Sequence, residues 1–441
     1  MQPSLCPIHL YMVRKIAEMN VYAFITPLVL ILLFAEIIFC VVKKNGLYSF
    51  QDTITNLGTG IGNQCVNLAV AFFVYKWYGF LFQFAPWEIA PTWYSLIILL
   101  LLQDFLFYWF HRTGHTVNIF WAAHMPHHSS EELNLSVGLR ASFTQRLFQF
   151  LFFDWILVLI GFSPEMVYSM AAFHLFLAFW HHTQLIKSMG WIEKWFVTPS
   201  HHRVHHGVNP QYIDKNYSEF LIIWDKMFGT FEPEEEEICY GITHPPRTWD
   251  PIFINFQYWK QLWKDCVAAP FWWVKIRMWF MPLGWRPRGL EPYDTSQPIG
   301  YTREHQTKYT SLQWKNTKPY LVAQVVIALL FMYVTINLSF PLEVSDRLLL
   351  TAGIFFMIIS WGGLLAAKSW SVATEIARIL FMSISMIFVL NKSGIAHWSD
   401  WTSVVIGLLS GISIMYISFQ SRKGLEGQAY PGDINEVPAM H

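Results

Sequence analysis

Twelve of the chain's 17 histidines fall between His111 and His206, and most of them sit at spacings that a helix turns into one face. His111 and His115 form HxxxH. His124, His127 and His128 form HxxHH, and His202, His205 and His206 repeat that pattern. Residues three and four apart on a helix are neighbours, so each box projects two or more imidazoles to one side. Imidazole is a ligand for iron, zinc and copper. Eight or nine converging histidines exceed what one ion can use, so the pattern calls for two metals. No carboxylate lies within the boxes, unlike the Glu and ExxH signature of soluble di-iron bundles.

The ligand candidates are His111, His115, His124, His127, His128, His182, His201, His202, His205 and His206. His181 and His182 are adjacent and cannot both face one site on a helix, and His182 is preferred. His201 stands four before His205 and competes with His202, so both stay open. His174 reads as a hydrogen-bonded core histidine, and His9, His244, His305, His397 and His441 read as loop, solvent or interface residues.

The chain around these boxes is that of a membrane protein. It is 54% hydrophobic and only 14% charged, against roughly 25% charge in ordinary soluble domains. Net charge is zero, which leaves no electrostatic footprint for nucleic acid. The five cysteines are scattered and give neither a disulfide framework nor a CxxC zinc pattern. A span needs about 20 apolar residues. Nine stretches qualify: 22–42, 61–83, 92–111, 147–163, 166–186, 320–338, 348–367, 374–390 and 402–419. The second is weakened by Asn63, Gln64, Asn67 and Lys76. The first is read as retained, since no cleavage pattern follows it.

The expected fold is therefore all-α: a polytopic membrane protein of about nine transmembrane helices with a histidine-rich di-metal site on its cytosolic face. Lys43, Lys44, Arg112, Arg140, Arg146, Arg422 and Lys423 all fall on one side under this count, and the positive-inside rule makes that side cytosolic. Every histidine box lies on the same side. Four segments are expected: N-terminal spans over 1–91, a metal core over 92–246, interfacial helices and linker over 247–319, and C-terminal spans and tail over 320–441. Within the third, Trp259 and Trp263, and Lys260 and Lys264, are four apart. That suits a helix in the headgroup layer or one packed on the protein itself.

Ligand histidines need acceptors for their second ring nitrogen. Asp104, seven residues before His111 and inside an apolar span, is expected to orient a ligand. Asp214 and Asp225 are further candidates, and Asp225 reads equally well as a turn residue. Glu36 and Asp154 also lie within spans, and the sequence offers them no partner. A transporter would gather its ionisable residues at the bilayer midplane in broken helices. These gather at helix ends, which counts against a metal transporter or sensor.

DFLFYWFHRTGH before the boxes and NYSEFLIIWDKMFGTF after them resemble the fatty acid hydroxylase and sterol desaturase superfamily. HHSSEELNLSVGLRAS, FWHHTQLI and YGITHP extend the resemblance toward its ether-lipid-cleaving branch, densely over 93–246. The resemblance implies two irons, O2, a lipid substrate and residence in the endoplasmic reticulum membrane. For that branch it also implies tetrahydrobiopterin as reductant, and an alkylglycerol or lyso-ether lipid cleaved to a fatty aldehyde and a glycerol derivative. A sterol or fatty-acyl hydroxylase or desaturase fed by cytochrome b5 is the neighbouring expectation. No HPGG, GxGxxG or flavin motif is present, so electrons come from outside the chain. In that branch an acidic residue bearing on pterin use follows the second histidine of the first box. Thr116 stands there in this chain.

Overall fold

The computed structural model describes residues 21–287, 306–336, 342–394 and 400–427. His9, His305, His397, His441 and Cys6 lie outside them. The described chain is mostly helical. Its one sheet is a two-residue antiparallel pair, β1 (Gln313–Trp314) with β2 (Leu425–Glu426).

The chain divides into two compact units. One comprises 1–48, 69–245 and 258–306; the other comprises 49–68, 246–257 and 307–441. The first contains α1 (Val21–Lys43), the later part of α2 (Phe50–Phe82), α3 (Trp93–Thr116) and α4 (Asn118–His128). A broken helix follows: α5 (Gln145–Gln149), a π turn (Phe150–Asp154) and α6 (Trp155–Ile160). Then come α7 (Pro164–Phe179), α8 (Pro199–His205), α9 (Ile223–Phe228), most of α10 (Pro251–Ala268) and α11 (Trp272–Trp279).

Seven described helices are long and apolar enough to cross a membrane: α1, α2, α3 and the four C-terminal helices α12 (Thr317–Ile336), α13 (Val344–Leu365), α14 (Ser371–Lys392) and α15 (Trp401–Ser421). The two remaining stretches of the nine form a shorter hairpin. Its first arm is built from pieces of five, five and six residues, and its second, α7, has 16. Sixteen helical residues span about 24 Å, short of the roughly 30 Å hydrocarbon layer. A hairpin returns the chain to the face it left whether or not it crosses, so the sidedness argument is unchanged. Polar residues in α2 do not break it. They pair along the helix, as with Asn67 Nδ2 to Asn63 Oδ1 at 2.8 Å.

The hairpin bend is fixed by sequence. Gly161 adopts φ +114°, a conformation L side chains resist. A Cβ there would also lie 2.5 Å from the Trp87 carbonyl oxygen. Ser163 then caps α7 through the Met166 amide (3.3 Å), with Pro164 at the first helical position. At the entry to α3, Thr92 and Ser95 form a reciprocal capping box.

Helix α10 packs on the protein along one face. Trp259 packs on Phe148 and Trp279, while Trp263, Lys260 and Lys264 face outward.

In the second unit, α12–α15 pack around a buried polar knot. Glu375 accepts hydrogen bonds from Arg378, Tyr320 and Ser360. Replacing Arg378 by Met removes the cation and leaves a buried carboxylate, a change that costs about 3–5 kcal/mol. Thermal unfolding in detergent is expected to show a clearly lower midpoint for Arg378→Met, with Lys392→Met close to wild type.

Candidate metal centre

Helices α3, α4 and α8 and the turn after α7 bring nine histidines together in two groups. His111, His115, His124, His128 and His205 form one, and His127, His182, His202 and His206 form the other. All nine are buried, and within each group one ring nitrogen per residue lies within 4.8 Å of all the others. Adjacent residues serve different groups: His127 and His128 part ways on α4, as do His205 and His206 at the end of α8.

The nitrogens meet head to head. His124 Nε2 lies 3.0 Å from His111 Nε2 and 2.9 Å from His128 Nε2, and His205 Nε2 lies 3.1 Å from His128 Nε2. In the second group His182 Nε2 lies 3.1 Å from His127 Nε2 and 2.9 Å from His202 Nε2. His206 Nε2 follows at 3.1 Å from His202 Nε2.

The opposite side of several rings fixes the tautomer. His111 Nδ1 donates to the Tyr217 carbonyl at 2.7 Å, and His205 Nδ1 donates to that of Lys215 at 3.0 Å. His182 Nδ1 donates to Ala178 and Phe179 carbonyls at 3.1 and 3.2 Å. A neutral imidazole with its proton on Nδ1 presents a lone pair at Nε2. The Nε2 lone pairs of His111, His205 and His182 therefore point into their groups.

Burial and the neighbouring rings push His124, His127, His128, His202, His205 and His206 well below the ordinary histidine range. His182 falls to about 4 through burial. These rings are therefore uncharged at neutral pH, the form in which imidazole binds a metal cation. The all-imidazole donor set fits iron, zinc or copper.

Buried carboxylates hold these acceptors in place. Asp225 accepts from the Tyr217 and Ser218 amides, both at 2.8 Å, and from Thr230 Oγ1 at 2.7 Å. It is fully buried, which excludes the surface-turn reading. Asp104 does not touch any grouped histidine, contrary to expectation. It accepts from His174 Nε2 (2.9 Å), the Phe220 and Leu221 amides (both 3.0 Å) and Trp224 Nε1 (2.8 Å). Its role is to pin the strap 217–224 to α3, one step removed from His111.

Glu36 bonds Tyr48, Thr183 and the Leu135 amide, tying α1 to the turn that carries His182. Asp154 accepts from Gln103 and Gln149 at 3.1 and 3.0 Å. Asp214 reaches within 3.7 Å of His115 Nδ1. Thr116 only closes α3, its hydroxyl donating to the Arg112 carbonyl at 2.9 Å. An acidic neighbour for the second histidine thus comes from Asp214, 98 positions after the one expected.

The structure separates His201 from His202. His202 joins the second group, while His201 lies outside both and packs edge-on against Phe231. His181 is buried against Trp180, also outside both groups. His174 is bonded to Asp104, and His244 is a loop residue near Thr243.

Sequence reasoning missed Gly138. A Cβ there would lie 3.0 Å from Phe179 and 3.1 Å from His182 Nδ1, so only glycine lets that ring seat freely. It also missed the carbonyls of Tyr217 and Lys215, because a backbone acceptor leaves no trace in side-chain identity.

A fatty acid hydroxylase family model matches residues 96–230, the segment that builds both groups. The chain is 35% identical over 362 residues to the alkylglycerol monooxygenase of Homo sapiens, covering 80% of each chain. It is 35% identical over 385 residues to that of Danio rerio, covering 84% of this chain and 82% of the relative. The chain belongs to the alkylglycerol monooxygenase family. The more distant ornithine lipid hydroxylase of Rhizobium tropici is 29% identical over 155 residues, 35% of this chain and 47% of that one. No solved structure matches. Within the alkylglycerol monooxygenase family the chain is a multi-pass membrane oxidoreductase, a lipid monooxygenase with a buried histidine site able to hold metal.

Three outcomes follow for metal binding. His124→Ala, which removes the nitrogen central to the first group, is expected to lower bound metal by about half or more in elemental analysis, and His201→Ala to leave it unchanged. Asp225→Ala loosens the strap that holds His111 and should weaken metal affinity roughly 10–100-fold. The histidines outside the spans have lowered values, so the folded site binds fewer protons than the unfolded chain. Its stability is present above about pH 6.5 and is lost as pH falls toward 4. Metal should be retained at pH 7.5 and released over that window.

Proposed function

We propose that the chain cleaves the ether bond of alkylglycerols, in keeping with its membership of the alkylglycerol monooxygenase family. The carrying observation is the pair of buried, neutral, carboxylate-free histidine groups on one strap-braced scaffold. His111, His115, His124, His128 and His205 would hold one iron, and His127, His182, His202 and His206 the other. Bound iron supplies activation of O2 against an unactivated C–H bond.

The chain does the rest. Backbone acceptors at Tyr217, Lys215, Ala178 and Phe179 fix ring orientation. The aromatic cluster of Phe107, Phe110, Phe120, Phe148 and Phe153 supports an apolar, water-excluding wall beside α3 and α4 for an alkyl chain. Hydroxylation of the ether-bearing carbon puts one oxygen atom of O2 into a hemiacetal. The other leaves as water, using two electrons and two protons. The hemiacetal then collapses to a fatty aldehyde and a glycerol derivative.

Tetrahydrobiopterin is the proposed electron donor, in keeping with the resemblance and with a sequence that carries no redox-cofactor motif. Asp214 beside His115 stands in for the acid that Thr116 lacks. Residence in the endoplasmic reticulum membrane belongs to the same proposal.

The test is aldehyde release from an alkylglycerol by membranes expressing the chain in air, comparing added tetrahydrobiopterin with NADH plus cytochrome b5. Aldehyde with the pterin alone is the expected result. Turnover of a sterol or fatty-acyl substrate with cytochrome b5, and none of the alkylglycerol, would replace this reading by the neighbouring one.

A further inference from the structure

Helix α8 presents residues in two directions. His202, His205 and His206 enter the metal-binding groups. His201 and Arg203 instead line a cleft of about 550 Å³. Lys187, Lys194 and Lys226 stand around the same cleft. All three are exposed.

The acids there are already engaged. Glu234 takes the Arg203 guanidinium in a two-pronged pair, at 2.9 Å to Nε and 2.6 Å to Nη2. Glu193 accepts from the Met189 amide (2.7 Å), Ser188 Oγ (3.0 Å) and Thr198 Oγ1 (3.3 Å). Lys226 Nζ bonds to the Lys194 carbonyl at 2.8 Å and lies 5.0 Å from the Phe231 ring. Neither contact neutralises its charge. Neutral donors leave the Glu193 charge in place as well, so the cleft sets four cations, Arg203 and the three lysines, against Glu193 and Glu234, and is net positive.

Its flank fixes the depth at which it sits. Leu185, Ile186, Trp191, Trp195 and Phe196 are exposed, with Lys187 and Lys194 between them. This stretch leads out of the α5–α7 hairpin. Outward tryptophans interleaved with lysines are the composition of a chain lying at the headgroup level. A lipid phosphate occupies that level, whereas a neutral glycerol hydroxyl makes no use of three cations.

We propose that the cleft is the headgroup site for a phosphate-bearing lyso-ether lipid, whose phosphate is held by Lys187, Lys194 and Lys226. The inference rests on the ether-lipid reading above. Helix α8 has seven residues, about 10 Å of helix. His201 in the cleft and His202 in the second histidine group are neighbours on it, and the ether-bearing carbon lies only a few bonds from the phosphorus.

Arg203 is the brace between the two sides. Besides Glu234 it donates to the carbonyls of Thr183, Ile186 and Lys187, at 3.0, 2.7 and 3.1 Å. The segment bearing Lys187 is thereby clamped to the helix bearing His202.

The test uses two probes that differ only in the phosphate, 1-O-octylglycerol and 1-O-octylglycerol 3-phosphate. Each is titrated calorimetrically onto the full chain in a neutral glycoside detergent. The triple variant Lys187→Gln, Lys194→Gln, Lys226→Gln is expected to bind the phosphate probe about tenfold more weakly and octylglycerol unchanged. Adding about 0.5 M salt to the wild type should act in the same direction. Metal content should match wild type.

Unchanged affinity for the phosphate probe in the variant, or equal weakening of both probes, would overturn the proposal. Displacement of the phosphate probe by an equal concentration of inorganic phosphate would also overturn it, by making this a free-anion site. Binding is read without turnover. Failure of the ether-cleavage reading would show as absent aldehyde while this measurement still reported on the cleft.

Discussion

Opposed imidazole lone pairs govern this molecule. Tyr217, Lys215, Ala178 and Phe179 carbonyls take the Nδ1 protons of His111, His205 and His182, and this turns the Nε2 lone pairs inward. Burial then keeps the rings neutral. Much of the surrounding framework exists to hold that arrangement. Asp225 and Asp104 brace the strap from two sides, Glu36 ties in the turn after α7, and Gly138 leaves room for a ring.

The boxes were legible because helical spacing is a local property. HxxxH and HxxHH declare a shared face from a few residues, and the four segments they occupy do converge. How the histidines divide was not legible. His127 and His128 read as ligands from one box, yet they join different groups. His201 and His202 are separated by a choice between i,i+4 and i,i+3 spacing to His205, which a helix treats alike. Only the position of His182 decides it, through a contact across 20 residues of sequence.

The membrane reading was legible for the same reason and incomplete for another. Apolarity over 147–163 and 166–186 resembles that of a span, but the helices those residues form are short and broken by a π turn. Composition reports how apolar a surface is and says nothing about where a ring of glycine and proline will end it. Asp104 shows a similar limit. Its burial and importance could be read from a carboxylate in an apolar run. Its partners could not, because they lie on α7 and in a strap, 70 and more than 110 residues away.

Both groups draw on α4 and α8, and the first is oriented by a carbonyl at residue 217. Neither can be assembled from an early stretch of the chain. During biosynthesis the histidines of α3 and α4 emerge before the hairpin and α8. Only when α8 and its strap have left the ribosome do the sites close, and then they close together. Loading both sites is thereby a late event in the life of the nascent chain, since a chain cut short before residue 199 holds four histidines of the first group and only two of the second.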